Sequence, residues 1–387
     1  MKDTTKREKL LIIISAFLAI TCIVLIVLFL SEKRSIVVNT ADGKELTYSL
    51  EEAENITNIL TNASREIIAS SQYADKKIYV IGHKSPDLDT VGSAISYARL
   101  LNELGYDAEP RITMKPSGQT RFALEYCNIP VPEILQDATD QNIILVDISD
   151  YSSGVDGLEK ANILGIIDHH TLNIHVNSPV KVETAKIGAT QTLVGLEYLR
   201  NGIVPDEQTA KLMALTILSD TGGLSPSSAL ETDNKIYNWA AEIGNVNFDE
   251  VMPKLEDANC DYTGMSDSEI FYSDYKTYIA GDDEFKYIIG VAHVKNKADM
   301  KDMALRLQKF VNDEYENSEV DMLIAQVLLT DYSAAYYAVV GEDADNIFTG
   351  AVGDLVTFDA DTGLYYSEPS LNRKTTTSPK INEFVSK

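Results

Sequence analysis

Residues 77–104, KIYVIGHKSPDLDTVGSAISYARLLNEL, decide the fold and hold the first chemical signal of the chain. The apolar run 78–81 has the length and composition of a buried strand, and a helical pattern follows it. Between the strand and the helix stand His83, Asp87 and Asp89. The stretch therefore predicts a strand that delivers metal-binding side chains to the start of a helix.

Two more apolar runs repeat this arrangement further along the chain. NIILVDISD (142–150) and ILGIIDHH (163–170) are short and continuous, as strands buried on both faces are. Helical patterns follow at 186–201 and 207–219. This alternation predicts an α/β fold with a parallel sheet flanked by helices.

Ionisable side chains stand at the end of each of these three strands. Asp147 follows the second strand, and Asp168, His169 and His170 end the third. Ligands gather beyond the carboxyl ends of strands in open parallel sheets. A lone histidine at such a place is more often a packed residue, but three histidines with aspartates at neighbouring strand ends indicate a metal site.

The type of these side chains limits the metal and the chemistry. Imidazoles and carboxylates without thiolates favour Mn²⁺, Co²⁺, Fe or a catalytic Zn²⁺ over a structural zinc. Two ions need a bridging carboxylate, and Asp147 on the central strand is the natural bridge. A water held between two ions loses a proton near neutral pH, and the resulting hydroxide can attack a phosphoryl group. Asp220, before Thr221-Gly222-Gly223, is a further candidate ligand, although it also reads as a helix end.

A second, smaller α/β region is predicted from about residue 265. Its strands are expected near 277–281, 286–294, 321–330 and 334–341, with a helix at 298–317. Its tail, SLNRKTTTSPKI (370–381), carries the pair Arg373-Lys374 among Ser, Asn and Thr. A solvated surface pair is the simpler interpretation of these two residues taken alone.

Four stretches, taken together, resemble the motifs of the DHH phosphoesterase superfamily. They are GHKSPDLDTVGSA (82–94), VDISD (146–150), IDHH (167–170) and SDTGGLSP (219–226). The tail NRKTTTSP (372–379) is similar to the Arg-Lys motif of family II, manganese-dependent inorganic pyrophosphatases. The resemblance covers about 76–383 and implies an N-terminal DHH domain followed by a DHHA2 domain.

The resemblance also implies roles for residues of this chain. One metal would take His83, Asp87 and the bridging Asp147, and the other Asp89, Asp147, His169 and Asp220. Asp168 would orient the ligands. The catalytic and substrate-binding set is implied to be Asp147, His170, Lys276, Arg373 and Lys374. The cofactors would be two Mn²⁺ or Co²⁺ ions, with Mg²⁺ arriving with the substrate.

This chain departs from the family pattern close to the bridging position. Ile148-Ser149-Asp150 stand where the family usually has His-Asn-Glu, and Gly222-Gly223 replace apolar residues. The lysine that precedes Ser-Pro in the family is missing. These changes leave the implied metal ligands intact and affect the expected substrate choice and turnover.

The charge of the chain is uneven. Of its net charge of −26, residues 1–34 contribute six basic and three acidic side chains, so residues 35–387 hold 27 basic and 56 acidic ones. Such a body repels phosphate backbones, and no nucleic acid is expected as a partner. Three cysteines without CxxC spacing argue against a disulfide framework or a thiolate zinc site.

Residues 10–30, LLIIISAFLAITCIVLIVLFL, contain no charge and have the length of a membrane-spanning helix. A cleaved signal peptide is the alternative, but no small-x-small site follows. The predicted organisation is a basic tail (1–9), a transmembrane anchor (10–30), a spacer (31–75), the DHH domain (76–264) and the DHHA2 domain (265–387). The predicted location is a cell membrane, with the body on the outer side.

The function expected from residues and resemblance is hydrolysis of inorganic pyrophosphate to two orthophosphates by a membrane-anchored enzyme. The enzyme alternative is a DHH phosphoesterase that acts on short polyphosphate or a small nucleotide. The alternative of another class is a membrane-tethered sensor that binds a phosphate ligand without catalysis. The sequence leaves open whether the chain forms a homodimer.

Overall fold

The computed structural model describes residues 35–39, 45–70, 73, 76–116, 118–148, 150–281 and 285–387. The chain divides into two units, residues 1–67 and 68–387. In the first unit, strands β1 (Ser35–Asn39) and β2 (Glu45–Ser49) pair antiparallel. Helix α1 (Leu50–Ser70) follows and continues past the boundary of the unit.

The second unit begins with a six-stranded sheet and the helices around it. Its strands are β3 (Lys77–Ile81), β4 (Asp107–Ile112), β5 (Glu133–Ile134), β6 (Asn142–Val146), β7 (Asn162–Asp168) and β8 (Lys181–Thr184). Its helices are α2 (Leu88–Glu103), α3 (Gly118–Tyr126), α4 (Thr190–Arg200), α5 (Glu207–Asp220), α6 (Glu231–Gly244) and α7 (Phe248–Ala258).

This sheet is parallel throughout, with the strand order β5-β4-β3-β6-β7-β8. The predicted parallel α/β sheet is confirmed. After β3 the chain builds outward through β4 and β5, and then returns to the other side of β3 to form β6. The reversal makes the gap between the carboxyl ends of β3 and β6 the topological switch point, where α/β sheets bind ligands.

Helix α2 lies in the core beside this switch point. Its residues from Leu88 to Ala98 are all buried, because the helix is covered by the sheet and by helices α4 and α5. Gly92 makes close contact with α5 possible: a Cβ atom at residue 92 would lie 2.1 Å from Oγ1 of Thr216. The small residue therefore sets the spacing of the two helices that lead to the site.

We expect Gly92→Ala to destabilise the protein by about 1–3 kcal/mol, because the added methyl group overpacks this contact. Urea unfolding followed by circular dichroism measures the change. Gly353→Ala is the matched control, since Gly353 has helical angles and its nearest neighbour to a new Cβ is 3.7 Å away. Equal stability of the Gly92 and Gly353 variants would contradict the overpacking.

The chain then forms a second six-stranded sheet. Its strands are β9 (Tyr275–Ala280), β10 (Phe285–Val294), β11 (Met322–Leu329), β12 (Ala335–Gly341), β13 (Thr357–Asp359) and β14 (Leu364–Ser367). Its helices are α8 (Asp267–Phe271), α9 (Lys297–Tyr315), α10 (Ala344–Val352) and α11 (Ser378–Val385). The strand order is β13-β14-β12-β11-β10-β9, and only β10 and β11 run parallel.

Both faces of this second sheet are covered by helices. Along β10, Ile288 and Ala292 pack with α9 on one face, whereas Tyr287 and Ile289 pack with α10 and α11 on the other. The alternation follows from the two-residue period of a strand. The predicted domain ranges 76–264 and 265–387 stay predictions, with one sheet falling within each range.

The predicted membrane-spanning helix, and with it the single-pass location in a cell membrane, requires correction. No helix among the described residues is long and apolar enough to cross a bilayer. Crossing takes about 20 mainly apolar residues, whereas the long helices α1 and α9 carry charges in their first turns. The apolar run 10–30, from which the prediction came, lies outside the described residues.

Candidate two-metal site

The candidate site lies at the switch point of the parallel sheet. The segments that leave β3, β6 and β7 carry six of its ionisable side chains, and the end of α5 adds Asp220. These segments meet because parallel strands end at the same edge of a sheet. The residues of the candidate site are His83, Asp87, Asp89, Asp147, His169, His170 and Asp220.

Asp147 occupies the centre of the site and is only 2% exposed. Its Oδ2 atom lies 3.4 Å from Nε2 of His83, and its Oδ1 atom lies 3.5 Å from Nε2 of His169. Hydroxyl groups of Thr90 and Thr190 donate to the two oxygens at 2.8 and 3.2 Å. Each carboxylate oxygen therefore faces a different part of the site, as a bridging ligand must.

The backbone of Asp147 is held in an uncommon conformation. Its φ angle is +54°, which a residue other than glycine adopts at an energetic cost. The backbone N–H of Asp147 still donates to the carbonyl of Ile167 on β7, at 3.0 Å. The turn thus aims the side chain across the switch point while the residue stays attached to the sheet.

Asp87 both faces the site and begins a helix. Its Oδ1 atom accepts from the backbone N–H of Thr90 at 2.9 Å and so caps α2, while Oδ2 lies 3.3 Å from Nε2 of His83. N-capping by Asp stabilises a helix start, where backbone N–H groups lack partners. One carboxylate therefore serves the helix with one oxygen and the site with the other.

Asp89 performs a similar task for a different helix. It lies in the first turn of α2, yet its carboxylate accepts from the backbone N–H groups of Thr190 and Gln191 at 2.7 and 2.9 Å. These groups belong to the start of α4, whose own N-cap residue, Ala189, supplies no side-chain bond. Asp89 thus fixes α4 against α2 directly beneath the site.

His169 is oriented by a main-chain bond. Its Nδ1 atom lies 3.1 Å from the carbonyl oxygen of Ile187, which can only accept, so Nδ1 carries the proton. Nε2 is left as the acceptor and lies 3.5 Å from Asp147 and 3.6 Å from Asp220. This tautomer is the one that binds a metal through Nε2.

The side chains form three groups in which the ligand atoms all lie within 4.8 Å of one another. They are His83-Asp87-Asp147, Asp89-His169-Asp220 and Asp147-His169-His170. The first group is the set that the resemblance implies for one ion. The second holds three of the four residues implied for the other ion, and the third group joins Asp147 to His169. The mixture of imidazole and carboxylate in both sets fits divalent transition metals.

Electrostatics also indicates that the carboxylates need positive charge. Burial, followed by the charges of Asp147 and Asp220, raises the pKa of Asp89 well above its ordinary value. Removal from bulk water and the charges of Asp147 and Asp87 raise the pKa of Asp220 to about 7, although His169 opposes the rise and 30% of the side chain remains exposed. Divalent cations would relieve this crowding of like charges.

His170 lies differently from the other histidines. Its Nδ1 atom is 3.0 Å from Oδ1 of Asp168 and 3.5 Å from Oδ1 of Asp147, and its backbone N–H donates to Asp168. Asp168 is fully buried, and its contact with His170 connects it to the ligand groups. The geometry is that of an aspartate that orients a neighbouring histidine.

The opposite wall of the site comes from the second sheet. Lys276 on β9 and Arg373-Lys374 line the same cavity of about 1030 Å³ as His83, His170 and the carboxylates of the site. Arg373 and Lys374 begin a π-helical turn, Arg373–Thr377, that Asn372 caps by accepting from the backbone N–H groups of Lys374 and Thr375.

This wall has an excess of positive charge. Burial, followed by the charges of Lys374 and Arg373, lowers the pKa of Lys276, and Asp274 and Asp147 only partly oppose the shift. Three cations on one wall favour an anionic ligand, which would relieve their mutual repulsion. The cavity thus has one wall that needs cations and another that needs anions.

The departures near Asp147 have structural roles. Ile148 is buried and packs in a small apolar cluster with Val155 and Leu158. Asp150 accepts hydrogen bonds from Ser152 and Ser153 and begins a short 3₁₀ turn. Neither side chain belongs to the three groups of ligand atoms.

The glycine pair after Asp220 also has a structural reason. Gly222 and Gly223 have φ angles of +59° and +70°, values that favour glycine. The N–H of Gly223 donates to the carbonyl of Leu218 at 2.8 Å, which closes the end of α5. The turn ends the helix immediately after Asp220 and leaves that side chain at the site.

Sequence reasoning missed several residues that support the site. Thr90 and Thr190 bond to Asp147, and Asp274 bonds to Arg373. Thr90 lies next to Asp89, so its position was a usable signal. Thr190 and Asp274 form hydrogen bonds with residues 43 and 99 positions away in the sequence, and no local pattern predicts such contacts.

Comparisons with known proteins agree with this arrangement. The model of the DHH family, N-terminal domain, matches residues 77–217. A manganese-dependent inorganic pyrophosphatase of Methanothrix thermoacetophila is 31% identical over 319 residues, which are 80% of this chain and 99% of the relative. A Clostridium acetobutylicum protein assigned the same activity is 32% identical over 287 residues, 72% of this chain and 87% of that one.

A solved structure has the same fold. A Methanococcus jannaschii protein, described as a candidate family II inorganic pyrophosphatase, superposes with a TM-score of 0.68 at 24% identity. The match covers 80% of this chain and 100% of that one. At this identity the likeness bears on the fold alone, whereas the sequence relatives bear on the family.

Proposed function

The chain belongs to the family of manganese-dependent inorganic pyrophosphatases and is an inorganic diphosphatase, and we propose that it hydrolyses pyrophosphate in the cavity between its two sheets. The products are two orthophosphates. The acidic groups at the switch point hold metal ions, and the cations of the second sheet hold the substrate. The predicted activity and manganese dependence follow the family, and the residue roles below are proposals.

One observation carries the proposal: an acidic wall and a basic wall face a single cavity. On one wall, burial together with neighbouring carboxylates raises the pKa values of Asp89 and Asp220. On the other, burial together with the charges of Lys374 and Arg373 lowers the pKa of Lys276. Divalent metal ions with a compact polyanion would neutralise both walls at once, and pyrophosphate is such an anion.

The proposed ligands divide between two ions. His83, Asp87 and Asp147 would hold one ion; Asp89, Asp147, His169 and Asp220 would hold the other. Bound divalent ions supply Lewis acidity, which lowers the pKa of water and takes up charge on phosphoryl oxygens. Asp147 supports the pair because its two oxygens point to different histidines.

Residues outside the ligand sets bind and orient the substrate. Arg373 can grip one phosphate through two N–H groups, and Lys276 and Lys374 act as point charges. His170, whose Nδ1 faces Asp168, can present Nε2 to a phosphate oxygen. In this arrangement the phosphoanhydride bond of the substrate would lie between the carboxylate wall and the cationic wall.

The proposal is tested by phosphate release from pyrophosphate, tripolyphosphate and a dinucleotide, each with Mn²⁺, Co²⁺ or Mg²⁺. We expect pyrophosphate with Mn²⁺ to give the highest kcat/KM. Faster release from tripolyphosphate or the dinucleotide would favour the broader phosphoesterase activity. Absence of release from all three, with metal bound, would leave the non-catalytic sensor.

We expect Arg373→Ala to raise KM for pyrophosphate about tenfold to a hundredfold, because a charge-assisted grip on phosphate is lost. Manganese affinity, measured by calorimetry, should stay unchanged, since Arg373 belongs to none of the ligand groups. Arg306→Ala is the matched control: Arg306 also pairs with an aspartate, Asp267, but does not line the cavity. Loss of manganese from the Arg373 variant would contradict the role.

A further inference from the structure

Arg373 is held in place before any substrate arrives. Its Nη2 atom donates to Oδ1 of Asp274 at 2.7 Å, and its Nη1 atom donates to the carbonyl oxygens of Asp274 and Ile289 at 3.0 and 3.3 Å. The arginine side chain is only 11% exposed. Asp274 directly precedes β9, so the arginine is fastened to the strand that also carries Lys276.

Some N–H donors of the Arg373 guanidinium remain available to a ligand. Arginine has five N–H groups: two on Nη1, two on Nη2 and one on Nε. Among the described residues, Nη1 has two acceptors, the carbonyls of Asp274 and Ile289, which can take both of its hydrogens, and Nη2 has one, Oδ1 of Asp274. The Nε hydrogen and the second Nη2 hydrogen remain, and they form the parallel pair that grips a phosphate bidentately.

Asp274 has the properties of a fixed partner. Removal from bulk water would raise the pKa of this carboxyl, although 49% of its side chain is exposed, but Arg373, with His293 and Lys374, lowers the pKa below its ordinary value. The group is therefore ionised when the cleft works at neutral pH. The negative charge of Asp274 weakens the binding of phosphate, because an anion beside the pocket repels another anion.

From these contacts we infer that Asp274 is a positioning residue that turns the open Nε–Nη2 edge of Arg373 toward the substrate phosphate. The inference rests on the proposed function, because it takes a phosphate group as the ligand of Arg373. Asp274 need not touch the substrate. It acts by occupying the Nη1–Nη2 end of the guanidinium, which limits the side chain to one orientation.

Two substitutions of Asp274 separate its effect on the orientation of Arg373 from the effect of its negative charge. Asp274→Asn and Asp274→Ala both remove the negative charge, but only Asn keeps an oxygen that can accept from Nη2. We expect the Asn variant to bind methylenediphosphonate, a pyrophosphate analogue that is not hydrolysed, at least as tightly as the unchanged protein. The Ala variant should bind about tenfold more weakly than Asn, as loss of one orienting charge-assisted bond implies.

The same order should appear in KM for pyrophosphate, with kcat changed less than KM. In an Arg373→Ala background, replacing Asp274 by Ala or Asn should give equal affinities, because the group to be aimed is absent. Asp302→Ala, which removes an exposed carboxylate from α9, is the control for charge alone. Equal affinities of the two single Asp274 variants, or tighter binding by Ala, would overturn the inference.

A measurement without ligand keeps the inference independent of the proposed function. Nitrogen-15 spectra of labelled arginine report rotation of the Nη groups, and the Arg373 signal is identified by its loss in Arg373→Ala. We expect slow rotation in the unchanged protein and the Asn variant, and fast rotation in the Ala variant. Unaltered rotation in Ala would overturn the positioning role. A protein that shows the expected rotation but does not hydrolyse pyrophosphate would refute the function alone.

Discussion

Asp147→Asn is expected to lower kcat for pyrophosphate by at least about 10³-fold, because one substitution weakens both proposed metal sites. Asn keeps the size of the side chain and can keep one acceptor oxygen. It replaces the other oxygen by an amide that cannot bind a cation. The oxygen facing His83 and the oxygen facing His169 can then no longer both act as ligands.

The backbone is not expected to cause this loss. Asn adopts the left-handed conformation of residue 147 readily, so the turn after β6 should persist. Asp140→Asn provides a matched control, since Asp140 also has a positive φ, +60°, and lies exposed before the same strand. Steady-state kinetics and metal content measured on both variants test the claim. A rate within tenfold of normal in Asp147→Asn would refute the bridging role.

Removing the metal should have an effect of similar size. After dialysis against a chelator, we expect the rate of pyrophosphate hydrolysis to fall by at least about 10³-fold and to return when Mn²⁺ is added. Without the ions, water is no longer activated, and the negative charge of the carboxylates repels the pyrophosphate anion. Phosphate release and metal content, followed together during titration with Mn²⁺, provide the measurement.

Thermal unfolding supplies a second readout that does not depend on activity. An ion that binds only the folded chain stabilises it by about 2.7 kcal/mol at a hundred times its dissociation constant. Mn²⁺ should therefore raise the midpoint of unfolding in the unchanged protein and in Asp140→Asn, and much less in Asp147→Asn. Full activity of the metal-free chain would contradict the proposed chemistry.

The sequence was sufficient for the parallel sheet and for where its chemistry gathers. Strands β3, β6 and β7 are short apolar runs that end in His or Asp, and parallel strands bring such ends to one edge. The gathering of His83, Asp147 and His169 at one edge could therefore be predicted from the residues, whereas the two ligand sets, with Asp220, were implied by the resemblance. Their assignment to individual ions stays a prediction.

Other features could not be predicted because they depend on distant contacts. Nothing near Asp274 indicates that Arg373 will fold back onto it, and nothing near Ala189 indicates that Asp89 will cap its helix. The membrane prediction rested on the composition of residues 10–30 alone, which lie outside the described residues. No helix among the described residues is long and apolar enough to cross a membrane.

Asp87 and Asp89 each cap a helix and face the candidate metal site, which affects how mutational scans are interpreted. Each carboxylate closes the start of a helix with the same group that faces the site, so a substitution there alters folding and chemistry together. Loss of activity at these positions would overstate their catalytic share unless the folded fraction were measured alongside. Asp220 lies at the end of α5 and caps no helix start in the part of the chain that the structure describes, so it is the better position for measuring what one ligand contributes.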